Sequence, residues 1–227
     1  MVSTFLMFSL SRAETAKSRS TFKRGCFTRI AASSRWGRVS RTQMSAIKLD
    51  STRGVLIAID LQPRFLQGIY EAERVVARCA FLTRVAETLG VPVLATEQNP
   101  ERMGGTHLEI APHIGTPFPK MTFSCVGCED LASALEFTGR RQAILVGIES
   151  HICVGQTAQD LLALGYEVAV CPDAISAGSL EAHKLGMERM RDAGVVPIHS
   201  EAVAYEWMGT AEHFGFRQVL ELVKRYR

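Results

Sequence analysis

The stretch Gly54-Val-Leu-Ile-Ala-Ile runs apolar without interruption and closes on the charge of Asp60. A half-buried strand alternates apolar and polar residues, whereas a strand covered on both faces does not. Covering both faces needs helices on each side, which is the arrangement of a parallel α/β sheet. The chain that follows keeps to this plan. Residues 71–89 place Val75, Cys79, Leu82, Val85 or Ala86, and Leu89 at helical spacing, and Gly90 stands where such a helix would close. Val91-Pro-Val-Leu-Ala-Thr96 reads as a second strand, with Pro92 acceptable only at its start. Further strands are expected over 119–123, 142–147, 167–171 and 195–198, and helices over 129–137, 154–164, 180–192 and 216–226. The expected fold is a single-domain, Rossmann-like, three-layer α/β/α architecture around a mainly parallel six-stranded sheet. In such sheets ligands bind beyond the carboxyl ends of the strands. The polar, Gly- and Pro-rich stretch 97–119 is long for a connection, and loops of that length tend to serve function.

Charge separates this body from what precedes it. Residues 1–48 hold ten Lys/Arg and one acid, Glu14, while residues 49–227 hold sixteen bases and twenty-two acids. The first 47 residues are basic, rich in Ser and Thr, and without a sustained apolar period. They are expected to be a disordered extension to a domain spanning 50–227. Their composition suits a mitochondrial or plastid transit peptide, with a start at Met44 as the competing reading. Localisation is accordingly expected to be cytoplasmic, or organellar if the extension is a genuine leader. The mildly acidic body argues against nucleic acid as a partner. No apolar run approaches the about 20 residues needed to span a bilayer, so no membrane association is expected. The six cysteines form no disulfide framework, which points to a reducing compartment.

Three reactive side chains fall where strands are expected to end: Asp60, Lys120 and Cys153. A cysteine opening a helix meets unpaired N–H groups and the positive end of the dipole, which favour thiolate, and a neighbouring ammonium favours it further. A carboxylate within reach could take the thiol proton and return it to a leaving amine. Each residue also has an ordinary reading, as a turn cap, a surface lysine and a buried inert thiol.

Taken in order, Ile-Asp60-Leu-Gln62-Pro-Arg-Phe65, Pro119-Lys120-Met-Thr-Phe-Ser124 and Gly147-Ile-Glu-Ser-His-Ile-Cys153-Val resemble the isochorismatase-like cysteine hydrolases. So does the helix from Thr157 to Gly165 leading to Pro172-Asp173-Ala174, and the similarity covers roughly residues 50–225. The resemblance implies that Asp60 is the general acid/base, Lys120 the support of the thiolate, and Cys153 the nucleophile. It also implies a peptide bond before Glu149 that is often cis, and an oxyanion hole made of the Glu149 and Cys153 amides. Gln62 and Phe65, just beyond Asp60, are candidate substrate contacts, with a structural role in that loop as the alternative. A small-molecule substrate and a homo-oligomer are expected, and Trp207 and Met208 could serve either an interface or the core.

Departures from the family pattern narrow the chemistry. Metal-binding relatives carry an Asp-x-His motif after the second strand, where this chain reads Thr96-Glu97-Gln98-Asn99-Pro100. His107 and His113 lack convergent partners, so no metal and no cofactor is expected. Relatives that cleave a vinyl ether use the aspartate and do not need the cysteine. The presence of Cys153 points instead to an amide, carbamoyl or ureido carbonyl. Vinyl-ether hydrolysis through Asp60, and a non-catalytic oligomeric binding protein, stand as rivals. Cys125-x-x-Cys128 reads as two ordinary thiols near a strand–helix junction, because neither a redox motif nor a zinc site is completed around it. His151 stands two residues from Cys153 in a tight turn, and Asp60 fills the role of base better.

Overall fold

β1 (Gly54–Ile59) is buried at all six residues and lies inside the sheet, between two parallel neighbours. The structure, a computed structural model, describes residues 47–226. The basic extension read in the sequence lies outside the described residues, apart from Ile47.

The elements follow in the order β1, α1 (Pro63–Leu66), α2 (Ala72–Leu89), β2 (Val93–Gln98), α3 (Pro100–Met103), β3 (Phe118–Lys120), α4 (Glu129–Phe137), β4 (Gln142–Ile148), α5 (Cys153–Ala163), β5 (Glu167–Ser176), α6 (Leu180–Ala193), β6 (Val196–Pro197), α7 (Ser200–Met208) and α8 (Phe216–Arg225). The sheet order is β3-β2-β1-β4-β5-β6, parallel throughout. The expected α/β/α architecture is therefore present. Side chains of β1 alternate between two cores. Leu56 and Ala58 join α2, α7 and α8 on one face, while Val55, Ile57 and Ile59 join α4, α5 and α6 on the other. Full burial of each large side chain in β1 contributes about 1.5–3 kcal/mol, which is why the run carries no polar residue.

The strand order places the site. From β1 the chain builds outward through β2 to β3, then returns to β4 on the other flank of β1 and builds outward again. A crevice opens at such a reversal, beyond the carboxyl ends of the two central strands. Asp60 follows β1, and the turn leading to Cys153 follows β4.

Several boundaries differ from expectation for tertiary reasons. β2 is displaced toward its carboxyl end because Leu56 to Ile59 of β1 pair with Val93 to Thr96. β3 ends at Lys120, since the Thr122 and Phe123 carbonyls turn to the Lys120 ammonium. β5 runs on to Ser176 after a register shift against β4 between Leu145 and Gly147. α7 was not expected. It begins at Ser200, whose N–H and hydroxyl both donate to Asp173, and it carries Trp207 and Met208 into the core beside α2. Those two residues are thus core, not interface.

Candidate active site

Asp60 leaves β1 with φ 52, in the left-handed region that Asp tolerates better than most residues. Its carboxylate is buried and engaged on both oxygens: Oδ1 accepts from Thr96 Oγ1 at 2.8 Å and Oδ2 from Lys120 Nζ at 2.7 Å. Beside it, Gly147 of β4 lies opposite Ile59 at φ 113, where a Cβ would stand 2.1 Å from the Ile59 carbonyl oxygen. Only glycine lets the two central strands approach so closely at the point where they deliver the site.

Lys120 ends β3, and its side chain is wholly buried. Its ammonium donates to Asp60 Oδ2, to Gln98 Oε1 at 2.6 Å, and to the Thr122 and Phe123 carbonyls at 3.2 Å each, and it lies 3.7 Å from Cys153 Sγ. Gln98 is held for this task, because its Nε2 donates to the Met121 carbonyl and so directs Oε1 at the lysine.

Cys153 is the first residue of α5. The preceding Ile148–Glu149 bond is cis, in line with the resemblance. The Glu149 carbonyl accepts from the Ile152 and Val154 amides, which folds the turn. α6 presses on this turn through Gly186, where a Cβ would meet the His151 backbone nitrogen at 2.9 Å. Among the described residues, the N–H groups of Glu149 and Cys153 have no hydrogen-bond acceptor. Burial, and then the negative charge of Asp60, push the Cys153 thiol up to about 12, against the opposing pull of Lys120. Desolvation thus opposes the helix terminus and the ammonium, the two features read as favouring thiolate.

A cavity of about 230 Å³ opens onto these groups, lined by Asp60, Phe65, Gln98, Phe123, Ile148, Glu149, Ile152 and Cys153. Phe65 stands where a substrate contact was expected. Gln62 does not line the cavity. It is fully buried, donating to the Gln98 and Gly104 carbonyls and accepting from the Gln98 N–H. Gln98, Phe123 and Ile152 were not foreseen as site residues, since nothing in a linear pattern says which side of a loop faces a cavity.

The remaining candidates are dispersed. Cys125 is a buried free thiol, raised to about 11 chiefly by burial, and its Sγ lies 3.8 Å from Thr96 Oγ1. Cys128 is also free, with its sulfur against the Pro119 carbonyl. His113 pairs with Glu87 at 2.7 Å, His107 Nδ1 accepts from the Glu109 N–H, and His151 is exposed. Among the described residues, no group of three or more His, Cys, Asp or Glu is placed to hold a metal ion.

The isochorismatase domain model matches residues 54–202, a span that contains Asp60, Lys120 and Cys153. The chain belongs to the isochorismatase family. Within this isochorismatase-like hydrolase family, isochorismatase domain-containing protein 1 of Salmo salar is 33% identical over 171 residues, covering 75% of this chain and 60% of that protein. The chain therefore spans about three fifths of that relative's length. Isochorismatase domain-containing protein 2 of Danio rerio is 34% identical, over 79% of this chain and 92% of the relative. Among solved structures, the MAR1 ribonuclease of Caenorhabditis elegans superposes with a TM-score of 0.75 at 30% identity, across 78% of this chain and 93% of that one. The isochorismatase fold thus accounts for the described chain. Among the described residues, no helix is long and apolar enough to cross a membrane.

Proposed function

We propose that this isochorismatase-family chain is a cysteine hydrolase that cleaves a small amide, carbamoyl or ureido C–N bond through a thioester. The observation that carries the reading is the Lys120 ammonium, lodged between the Asp60 carboxylate and the Cys153 sulfur at 2.7 and 3.7 Å. A nucleophile, a proton acceptor and a fixed positive charge meet at the wall of one small cavity.

The steps follow from that geometry. Substrate fills the cavity and displaces water. Asp60 takes the Cys153 proton as the sulfur attacks the carbonyl carbon, and Lys120 offsets the negative charge that develops on the sulfur. The resulting oxyanion accepts from the free Glu149 and Cys153 amides, groups that act most strongly in a dry site. Asp60 then gives its proton to the departing amine, the C–N bond breaks, and a thioester remains. Water that loses a proton to Asp60 attacks the thioester. The acid departs, and the proton returns to sulfur. A thiol raised to about 12 suits this order, because its proton leaves as the attack proceeds and not beforehand.

The test is a screen of small amides and ureides with the wild type and Cys153→Ala, with mass spectrometry of quenched reactions for an acyl adduct on Cys153. Full turnover of an amide or ureide by the alanine variant would remove the covalent scheme, and isochorismate turnover by that variant would favour vinyl-ether chemistry through Asp60. The name of the Caenorhabditis elegans relative supports a second reading, cleavage of RNA. The acidic body and the small cavity weigh against it, because phosphate contacts need a basic surface. RNA hydrolysis by the purified chain that persists in Cys153→Ala would establish it. We infer a homo-oligomer as well, for which Phe137, 94% exposed, and Phe214, 79% exposed, offer apolar surface. A single monomeric species by light scattering would refute it.

A further inference from the structure

The charges around the cavity do not cancel. Asp60 is neutralised by Lys120, whose ammonium is buried behind the wall and shared among protein oxygens. Glu149, which also lines the cavity, has no such counterpart: among the described residues, no Lys, Arg or His makes an ion pair with it. Its Oε2 accepts from the Gly178 N–H at 2.8 Å, and its Oε1 has no protein partner among the described residues. The segment that supplies that N–H is itself fixed, because the Ala177 carbonyl accepts from the Tyr70 amide and Ser176 Oγ donates to the Tyr70 carbonyl. The half-buried carboxylate is thus held in place through one oxygen, with the other free to accept from a ligand. Phe65, Phe123, Ile148 and Ile152 make up the apolar part of the lining. Apolar walls lower the local dielectric and lengthen the reach of a single charge.

We propose that the Glu149 side chain is a specificity-determining residue that admits neutral or cationic substrates bearing an N–H donor and turns carboxylates away. The inference rests on reading Cys153 as the group that meets the substrate. The same residue offers its backbone N–H on the oxyanion side and its carboxylate close by, so the favoured substrate carries a donor near the scissile carbonyl. A ureide with its second N–H, or an amide with an amino substituent, has that form. A substrate carrying carboxylates would bring like charge into an apolar cavity beside Glu149.

Charge selection can be read without knowing the substrate. The wild-type protein is treated with 2-aminoethyl methanethiosulfonate, a cation, or its 2-sulfonatoethyl analogue, an anion. In each case the sulfur of Cys153 displaces methanesulfinate and forms a mixed disulfide, which peptide mapping locates. The rate ratio of cation to anion at Cys153, relative to the ratio for N-acetylcysteine amide in solution, should be about tenfold or more. It should shrink in 0.5 M NaCl, about three times the physiological ionic strength, as the Debye length falls. In Glu149→Gln it should fall close to that of the free thiol. A wild-type ratio equal to the free thiol's would overturn the proposal, as would a ratio unchanged in Glu149→Gln. The wild-type measurement stands even if that variant does not fold. Because labelling needs no turnover, the two readings fail separately. A high ratio with full turnover by Cys153→Ala keeps Glu149 as selector and removes the thioester. A ratio of one with Cys153-dependent turnover does the reverse.

Discussion

Lys120 Nζ stands 2.7 Å from Asp60 Oδ2 with both side chains buried, and the Cys153 sulfur feels the two partners with opposite sign. Asp60 raises the thiol's pKa and Lys120 lowers it, so the two variants should separate reactivity from catalysis. Asp60→Asn should alkylate faster with iodoacetamide at pH 8 than the wild type, about tenfold for each unit by which the pKa falls. Turnover should meanwhile drop by about 100-fold or more, with the base gone. Lys120→Met should alkylate more slowly and lose about 3–5 kcal/mol of stability, because a buried carboxylate is left unpaired. Both variants moving labelling in the same direction would contradict this account.

Gln62 does not itself line the cavity, but its three hydrogen bonds hold backbone groups of Gly104 and of Gln98, which does. Gln62→Ala should therefore lower stability by about 2–3 kcal/mol, since buried backbone groups lose their partners. KM should change less than about threefold, because uniform substrate binding is untouched. Urea denaturation and steady-state kinetics on the first substrate found would check the split.

Gly147→Ala tests the close approach of β1 and β4. A methyl group 2.1 Å from the Ile59 carbonyl cannot be accommodated without separating the strands, and φ 113 is unfavourable for alanine. Overpacking and the backbone conformation together should cost about 3 kcal/mol or more. A thermal midpoint within about 2 °C of wild type would show that the strands yield easily, the equivalent of about 0.5–1 kcal/mol.

Buried thiols make the fold sensitive to alkali. Cys79, Cys125, Cys153 and Cys171 are all raised above the ordinary value of 9, burial being the largest cause in each case. Below pH 9 these thiols are neutral in both folded and unfolded chains. Above it the unfolded thiols ionise while the folded ones stay protonated, so stability is lost as pH rises from 9 toward the folded values of about 11 for Cys125 and about 12 for Cys153. Each such thiol removes about 1.4 kcal/mol per pH unit in that window. Thermal midpoints at pH 8, 9 and 10 should therefore hold level and then fall steeply, and a flat profile to pH 10 would refute the assignment.

How far the sequence speaks depends on whether the answer is local. The unbroken run before Asp60 announced a strand buried on both faces, and the helix signals around Leu180 and Glu129 held to within a residue or two. Asp60 and Cys153 were visible because an α/β sheet concentrates chemistry at strand ends. Lys120 was picked out with them, but its particular role came through the resemblance, since its strand has only three residues and its partners come from β1, β2 and the following loop. Gln62 looked like a substrate contact because it is polar and near Asp60, but burial turned it inward. α7 escaped notice because its N-cap is His199, not one of the usual capping residues, and the acceptor for its first N–H is Asp173 on β5. The protonation of Cys153 lay furthest from view, for it is the balance of desolvation against two charges that only the folded chain brings together.

The short strand carrying Lys120 has a further consequence. β3 lies at the edge of the sheet and pairs only with β2, through three residues, so its ladder supplies little to hold it there. Phe118 packs on the core and the Asn99 N–H donates to the Lys120 carbonyl, and the ammonium adds a tie that draws on Asp60 after β1, on β2 and on the loop after β3 at once. The ammonium proposed to serve the reaction therefore also helps to anchor the edge strand. Under the proposed function, selection acting on the reaction also helps to hold β3 to the sheet, and a descendant that abandoned the lysine would have to secure that edge by other means.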